Sequence, residues 1–347
     1  MSYTVTEIRP GDRRARAAAD ALLVREGIKR DAHLDYTCGV YDDDFSLCAT
    51  GSCFSNTLRC MAVDGAHRGE GLMNLVVSHL CEVQAQRGNA HVFLYTKPES
   101  ASFFADLGFF EIARVKGSLV FMENRRTGFS DWLAGQERAA ASVERTAAVV
   151  MNANPFTVGH RHLLETACGW YDAVHLFVLS EDFGPIPAKD RRRLVEESTK
   201  GLDKLIVHGS GPYMISRATF PGYFLRDSDD ASLAHARLDI ALFGRIAQAL
   251  GIGARCVGEE PFSRVTDIYN RAMEQELPGL GIALRVVPRL AIAGEAVSAS
   301  AVRRAVQRND MGTVRPLVPD PVWRYLTGPD GEKAVRVIRS MDDVTHH

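Results

Sequence analysis

The second half of the chain alternates short apolar runs rich in β-branched residues with stretches of helical periodicity. The predicted strands cover 147–151, 174–179, 204–208, 255–257 and 284–287, and the predicted helices cover 161–169, 189–199, 233–250 and 267–276. This alternation specifies a parallel sheet with helices on both faces, because parallel strands need long crossover connections. Ligands of such sheets bind outside the carboxyl ends of the strands. The sequence therefore predicts a doubly wound α/β domain with its functional site at that edge.

A compact motif follows the first of these strands. It reads Met151-Asn152-Ala153-Asn154-Pro155-Phe156-Thr157-Val158-Gly159-His160 and runs from the strand end to the start of a helix. The residue before a proline avoids helical backbone angles, and the threonine can then cap the new helix. Donors fixed at a helix start attract phosphate and stabilise charge that develops on an α-phosphorus. We expect Thr157 and His160 to be catalytic, and the predicted nucleotide-binding residues are Asn152, Asn154, Phe156 and Gly159.

A second helix start of this kind lies far downstream, at Val297-Ser298-Ala299-Ser300-Ala301-Val302-Arg303. Two hydroxyls and a guanidinium at the positive end of a helix suit the β- and γ-phosphates that leave as pyrophosphate. We predict that Ser298 and Ser300 bind nucleotide and that Arg303 is catalytic. Either motif alone is more often a capped helix with a surface side chain. The two together, in this order and at strand-to-helix junctions, favour the nucleotide site.

The first half contains another turn suited to phosphate. A predicted strand over 58–63 leads into Arg68-Gly69-Glu70-Gly71, and a predicted helix over 72–86 follows. Glycines allow the amides of such a turn to converge on an anion at the helix start. A strand over 91–95, a short helix through 103–107 and a segment at 109–112 complete a mixed α/β unit.

Length and composition define the organisation of the chain and exclude several partners. A chain of 347 residues exceeds what one core usually holds, so we expect two domains, over 1–125 and 146–345, joined by a connecting helix or linker over 126–145. A formal net charge of −2 argues against nucleic acid and anionic lipid as partners. Seven scattered cysteines are typical of reduced thiols, and no signal peptide or apolar membrane span is evident. We expect a cytoplasmic enzyme.

The two motifs of the second half resemble those of the nucleotidyltransferase superfamily with T/HxGH and ISSTxxR-like signatures. The resemblance narrows to the citrate lyase ligase family through further segments, of which Ile215–Leu225 is the most specific. The others are Met151–Arg161, Ser180–Asp182 with Asp190-Arg191, Val257–Phe262, Thr266–Asn270 and Val297–Arg303. Ala299 and Ser300 depart from the family's serine and threonine, and Gly184-Pro185-Ile186-Pro187 departs in the loop after Asp182. The resemblance covers nearly the whole chain.

The resemblance implies a Rossmann-like catalytic domain and an ATP-dependent reaction. Acetate and ATP would form acetyl adenylate and pyrophosphate, and the acetyl group would pass to the thiol of the phosphoribosyl-dephospho-CoA group on the citrate lyase acyl carrier subunit, releasing AMP. The resemblance also implies Mg²⁺ with ATP and a nucleotide contact at Gly258. The matching segments also contain acidic residues, but the resemblance does not identify a metal ligand among them. These residues are Glu181, Asp182, Glu259, Glu260 and Asp267.

Arg68-Gly69-Glu70-Gly71-Leu72-Met73 resembles the pyrophosphate turn of GNAT-type N-acetyltransferases, as does the segment from Ser102 to Phe109. Met73 departs from the small residue that usually ends the turn. The resemblance implies a GNAT-like mixed α/β first domain, with Arg68, Gly69 and Gly71 as binding residues. Two interpretations stay open, in which this domain either holds the CoA-like arm of the carrier or serves as scaffold.

Three alternative functions remain at this point. A nucleotide adenylyltransferase of the same superfamily would join AMP to a phosphorylated vitamin. An acetyl-CoA-dependent N-acetyltransferase would use its second domain as a nucleotide sensor. A non-catalytic scaffold for a lyase complex would have no need of Thr157, His160 and Arg303, whose presence argues against it.

Overall fold

The protein is described by a computed structural model. It covers residues 2–182, 184–214, 220–223, 225, 228–259 and 264–341, without the side chains of residues 228 and 264–267. The chain forms two compact units. One comprises Met1–Phe129 with Pro221–Leu238, and the other comprises Ser130–Phe220 with Asp239–His347.

The first unit is built on a mixed sheet of order β1-β2-β3-β4-β5-β7-β6, in which only the β4–β5 pair is parallel within the described residues. Its strands are β1 (Thr4–Glu7), β2 (Tyr36–Tyr41), β3 (Leu47–Phe54), β4 (Thr57–Val63), β5 (Phe93–Thr96), β6 (Phe110–Val115) and β7 (Leu119–Glu123). Its helices are α1 (Arg13–Arg25), α2 (Leu72–Gln86) and α3 (Ala101–Asp106). Helix α2 packs closely on β3 at Gly51, where a Cβ would lie 2.3 Å from the Cγ1 of Val76.

The second unit contains a parallel sheet of order β10-β9-β8-β11-β12. The strands are β8 (Thr146–Met151), β9 (Ala173–Val178), β10 (Leu205–Gly209), β11 (Ala254–Gly258) and β12 (Ala283–Val287), with a small hairpin of β13 (Ala291–Ile292) and β14 (Glu295–Ala296). The helices are α5 (Val158–Trp170), α6 (Ala188–Ser198), α8 (Arg264–Glu276), α9 (Ala299–Gln307), α10 (Met311–Leu317), α11 (Asp320–Thr327) and α12 (Glu332–Ser340). Two more helices, α4 (Gly128–Ala134) and α7 (Ser228–Leu250), begin in residues of the first unit and end in residues of the second. The strand order reverses between β8 and β11, which makes the carboxyl ends of these two strands the switch point where ligands of such sheets bind.

The predicted fold class is confirmed. Each predicted strand of the second half overlaps an observed strand to within two residues at either end, and the sheet is parallel as the alternation required. The first unit has the predicted order of strand, turn, helix and strand from β4 to β5. Pro221–Leu238, predicted from the sequence to lie in the second domain, clusters with the first unit. There Tyr223 packs with Leu22, Leu23 and Cys60. No helix in the described part of the chain is both long and apolar enough to cross a bilayer.

A buried histidine pair lies on the sheet of the second unit. His208 Nδ1 lies 3.2 Å from Gln136 Oε1, whose amide nitrogen donates to the carbonyl of Trp132, so that Nδ1 of His208 must donate. His208 Nε2 then accepts from His175 Nδ1 at 2.9 Å. His175 Nε2 is left as a buried acceptor with no partner among the described residues. Both rings are therefore neutral, and burial lowers each pKa to about 4.

This pair predicts a loss of stability on acidification. The folded pKa values lie below the ordinary histidine value of 6.5, so the unfolded chain binds more protons and the stabilisation present above pH 6.5 is lost as pH falls toward 4. His175→Asn keeps a donor toward His208 and removes one titrating ring. We expect its free energy of unfolding to depend less steeply on pH, by up to about 1.4 kcal/mol per pH unit.

The measurement is urea unfolding followed by tryptophan fluorescence at pH 7, 6 and 5, since Trp132, Trp170 and Trp323 all belong to the second unit. His162→Asn is the control, because His162 is only half-buried. Equal slopes for the wild type and the His175 variant would mean that the pair does not govern acid sensitivity.

Candidate active site

The loop between β8 and α5 brings the first motif to the switch point of the sheet. Strand β8 ends at Met151, its neighbour β11 ends at Gly258, and α5 begins at Val158. The peptide bond between Asn154 and Pro155 is cis. The positive end of α5 therefore lies at the carboxyl edge of the central strand, where a phosphate would meet the free amides of the first turn.

Thr157 and His160 form a reciprocal cap at the start of α5. The Thr157 hydroxyl accepts from the His160 amide at 3.2 Å, and His160 Nδ1 accepts from the Thr157 amide at 3.0 Å. This arrangement satisfies two amides that a helix start otherwise leaves unpaired. Because Nδ1 accepts, the proton of the neutral ring resides on Nε2. Thr157 and His160, both predicted to be catalytic, are thus in contact, and the cap makes Nε2–H of His160 a donor.

The surroundings of His160 keep its ring neutral. Desolvation is the main cause, and the charges of Arg289 and Arg303 add to it, so that its pKa falls to about 4. The ring stacks on Phe156 with centroids 5.5 Å apart, and Phe156 is fully buried in the core of the unit. The ring of Phe156 thus packs against the imidazole of His160. Its predicted role in nucleotide binding stays a prediction.

The two helix starts meet at Gly159. A Cβ on Gly159 would lie 3.1 Å from the carbonyl oxygen of Val297, which is tighter than ordinary van der Waals contact. Ser298 caps α9 by accepting from the Ala301 amide at 3.1 Å, and its hydroxyl lies 3.0 Å from that of Ser300. The structure therefore brings together the two motifs that the sequence placed nearly 140 residues apart.

Arg303 is buried rather than exposed to solvent. Only 1% of its surface is accessible, and its Nη1 donates to the carbonyl of Asn154. The guanidinium thus ties α9 to the turn that precedes α5. Its predicted contact with the leaving pyrophosphate stays a prediction, although its charge acts on His160.

Arg289 was not predicted from the sequence. It follows β12 at the same edge of the sheet, its Nε donates to the Glu259 carbonyl at 2.5 Å, and it also lowers the pKa of His160. The sequence does contain a signal for Arg289. This residue comes two positions after β12, and the carboxyl ends of the parallel strands are where the site is predicted to lie.

The remaining predicted nucleotide-binding residues lie around this cluster. Asn152 accepts from Arg191 through its carbonyl and its side chain, and the Asn154 Oδ1 accepts from the Ile186 amide at 3.2 Å. A Cβ on Gly258 would meet none of the described residues within 4 Å. These contacts order the loops, and direct binding by these residues stays a prediction.

The turn in the first unit has the backbone that its glycines suggested. Gly69 and Gly71 have φ angles of +87° and +76°, and Gly71 is the N-cap of α2. A Cβ on either would meet none of the described residues within 4 Å, and both glycines are exposed. Arg68 lies 2.5 Å from Glu26, and Glu70 contacts Tyr3 and His67. The glycines are required by backbone conformation, whatever the turn binds.

Some residues of the resemblance lie outside the described part of the chain. These are residues 215–219 and 224 of the distinctive segment, residues 260–262, and the side chains of residues 266 and 267. In the described residues, the group of three potential metal ligands that lie within 4.8 Å of one another is Asp42, Cys48 and His67, in the first unit. The spacing of these three residues along the sequence is not that of a metal-binding motif, and the group was not predicted.

A parallel sheet with a capped TxGH helix start at its switch point is typical of nucleotide-binding α/β proteins. Comparison with known proteins specifies the family. Residues 146–326 match the family model of the citrate lyase ligase C-terminal domain. The [citrate [pro-3S]-lyase] ligase of Escherichia coli is 36% identical over 307 residues, covering 86% of this chain and 87% of that protein. The [citrate [pro-3S]-lyase] ligase of Klebsiella pneumoniae is 35% identical over 320 residues, covering 91% and 93%. The chain belongs to the citrate lyase ligase family, a family of enzymes.

Solved structures are similar to part of the chain. An acetyltransferase of the GNAT family from Staphylococcus aureus is 14% identical with a TM-score of 0.30, covering 35% of this chain and 98% of that one. The ribosomal-protein-S18-alanine N-acetyltransferase from Escherichia coli is 16% identical with a TM-score of 0.28, covering 35% and 92%.

The contact at Gly159 gives a testable prediction. Alanine usually stabilises a helix relative to glycine by up to about 1 kcal/mol. Gly169→Ala, near the end of the same helix, should gain part of this amount because a Cβ there meets none of the described residues within 4 Å. Gly159→Ala must push Val297 away, so we expect it to be at least about 1 kcal/mol less stable than Gly169→Ala and to bind ATP more weakly. Chemical unfolding and calorimetric ATP titration of both variants measure this, and identical behaviour would show that the two helix starts do not depend on close contact.

Proposed function

We propose that this enzyme acetylates the thiol of the phosphoribosyl-dephospho-CoA group on a citrate lyase acyl carrier subunit in the cytoplasm. ATP and acetate are its other substrates, and AMP and pyrophosphate are its further products. Family membership supports the ligase assignment. The capped helix start with the Nε2–H donor of His160 is the observation that supports attack at the α-phosphorus.

The proposed reaction has two steps. A carboxylate oxygen of acetate attacks the α-phosphorus, the bond from that phosphorus to the bridging oxygen breaks, and pyrophosphate leaves. The carrier thiolate then attacks the acetyl carbonyl, and the bond from carbonyl carbon to the AMP oxygen breaks. Negative charge builds on the non-bridging oxygens in the first step, so fixed donors serve the transition state more than the bound substrate. His160 is suited to donate here at neutral pH, because its proton is on Nε2 and its pKa is about 4.

Positive charge at this edge supports ATP as the substrate. Arg289 and Arg303 both act on His160, and the start of α9 adds the hydroxyls of Ser298 and Ser300. Mg²⁺ would enter as part of its complex with ATP, held mainly by phosphate oxygens and water. Glu181, Asp182 and Glu259 are the described carboxyl residues that follow β9 and β11 at this edge and fit a single contact to such an ion. The ion would neutralise the leaving pyrophosphate.

Substitutions at His160 separate its capping role from its catalytic role. His160→Asn keeps an acceptor near the Nδ1 position and removes the Nε2 donor, whereas His160→Gln restores an amide donor near Nε2. We expect the asparagine variant to lose about 10²- to 10³-fold in turnover, or about 2.7 to 4 kcal/mol of transition-state stabilisation, with ATP affinity changed much less. The glutamine variant should retain more activity.

The assay is acetate-dependent exchange of pyrophosphate into ATP. An equal loss of ATP binding and turnover would make His160 a ground-state binder. Exchange that needs no acetate, with formation of a dinucleotide from a phosphorylated acceptor, would instead support the adenylyltransferase alternative. Acetyl transfer from acetyl-CoA without pyrophosphate release would support the N-acetyltransferase alternative.

We propose further that the first unit presents the CoA-like arm of the carrier, with scaffold as the competing role. The open turn at Gly69 and Gly71, at the start of the helix α2, supports a diphosphate contact. Arg68 lies in the same turn with most of its side chain exposed.

A matched pair of substitutions tests this role. Asparagine and aspartate both tolerate the left-handed backbone of Gly71 and have nearly the same shape, so only the charge differs between Gly71→Asn and Gly71→Asp. We expect the aspartate variant to deliver less labelled acetyl to the carrier thiol than the asparagine variant, because its carboxylate repels a diphosphate. Acetate-dependent pyrophosphate exchange should be equal in both. Equal delivery by both variants would reduce this turn to a structural element.

A further inference from the structure

Arg191 is a buried cation beside the candidate active site. It lies in the first turn of α6, and only 1% of its surface is accessible. Burying a guanidinium costs several kcal/mol unless the surroundings compensate its charge and satisfy its donors. The surroundings of Arg191 must therefore compensate its charge and satisfy its donors.

Its hydrogen bonds join two loops at the carboxyl edge of the sheet. Nη1 donates to the carbonyl of Asn152 at 2.7 Å and to the side-chain oxygen of the same residue. Nη2 donates to the Glu181 carbonyl, and Nε donates to the Ile186 carbonyl at 3.1 Å. The loop after β8 and the loop after β9 are thus held by one planar group. These loops are also joined by the Ile186 amide, which donates to Asn154 Oδ1.

The acceptors of Arg191 in the described residues are all neutral oxygens. The Asp182 carboxylate, which follows β9, accepts instead from the Ala188 amide at 2.6 Å. Fixed dipoles thus satisfy the donors of Arg191, and the nearby carboxylates of Asp182 and Glu181 offset part of its positive charge. A bound polyanion at that edge would complement the rest.

The geometry points to Arg191 as a positioning residue of the nucleotide site, which holds the loops after β8 and β9 in the arrangement that binds ATP and whose charge the triphosphate complements. This inference rests on the proposed function for the identity of the nucleotide. Arg191 is too deeply buried to be assigned a direct contact with ATP, so it acts through Asn152 and the loop carbonyls.

Arg191→Lys keeps the charge and removes the planar fork, which one ammonium group cannot replace across three separate carbonyls. Two or more hydrogen bonds that hold the loops in the binding arrangement are then lost. We expect the Kd for ATP to rise ~10-fold or more, because ATP binding must order these loops. The rise in melting temperature caused by saturating ATP should shrink correspondingly. Arg192→Lys and Arg193→Lys are matched controls on the same helix, because these residues are more exposed and pair with Glu196 and Glu197. Both controls should bind ATP as the wild type does.

A merely structural role would lower the melting temperature without ATP and leave the ATP-induced rise unchanged, and that result would overturn the inference. Asn152→Asp keeps the inference testable if the lysine variant does not fold. Its carboxylate gives Arg191 an anionic partner, so we expect higher stability without ATP together with weaker ATP binding. Higher stability with unchanged ATP binding would contradict the role of the charge.

The readout is ATP binding by calorimetry and does not depend on acetate. A wild-type protein that binds ATP but shows no acetate-dependent exchange would overturn the proposed function and leave the role of Arg191 open to the same test. Unchanged ATP binding in Arg191→Lys, with normal exchange in the wild type, would overturn this inference alone.

Discussion

The candidate site depends on close contact between two helix starts. Gly159, in the first turn of α5, lies against the main chain of Val297, directly before α9. A helix start has unpaired amides and a partial positive charge, and two such ends side by side would repel without an anion or nearby acceptors. Side-chain caps at Thr157 and Ser298 satisfy part of this demand, and a polyphosphate would satisfy the rest. The packing therefore favours a site that holds an anion.

The same arrangement sets the protonation of His160. The cap fixes Nδ1 of His160 as an acceptor, and burial together with two arginines keeps the ring neutral. A neutral imidazole can donate through Nε2 at physiological pH without first acquiring a proton. The cap, the tautomer and the electrostatic environment thus all favour a fixed Nε2–H donor at the helix start.

The sequence predicted the elements of the second unit well because their signals are local. Apolar β-branched runs indicated the strands, and Thr157 and Ser298 indicated the helix starts that the structure contains. The structure of loops that meet only in three dimensions was not predictable in this way. The contact between Gly159 and Val297, the burial of Arg303 and the position of Arg289 all depend on how α9 and β12 pack beside β8 and α5. The grouping of Pro221–Leu238 with the first unit likewise has no local signal, because it arises from tertiary packing of Tyr223 on helix α1 and strand β4.

The proposed reaction begins with attack by acetate on the α-phosphorus of ATP at this site. Acetate labelled with ¹⁸O in its carboxylate tests it most directly, in the presence of ATP, Mg²⁺ and the carrier thiol. Attack by acetate, followed by thiolysis at the carbonyl, leaves one acetate oxygen on the phosphorus, so mass spectrometry should find one ¹⁸O in each AMP and none in pyrophosphate. AMP without ¹⁸O, or label in inorganic phosphate together with ADP, would contradict the account.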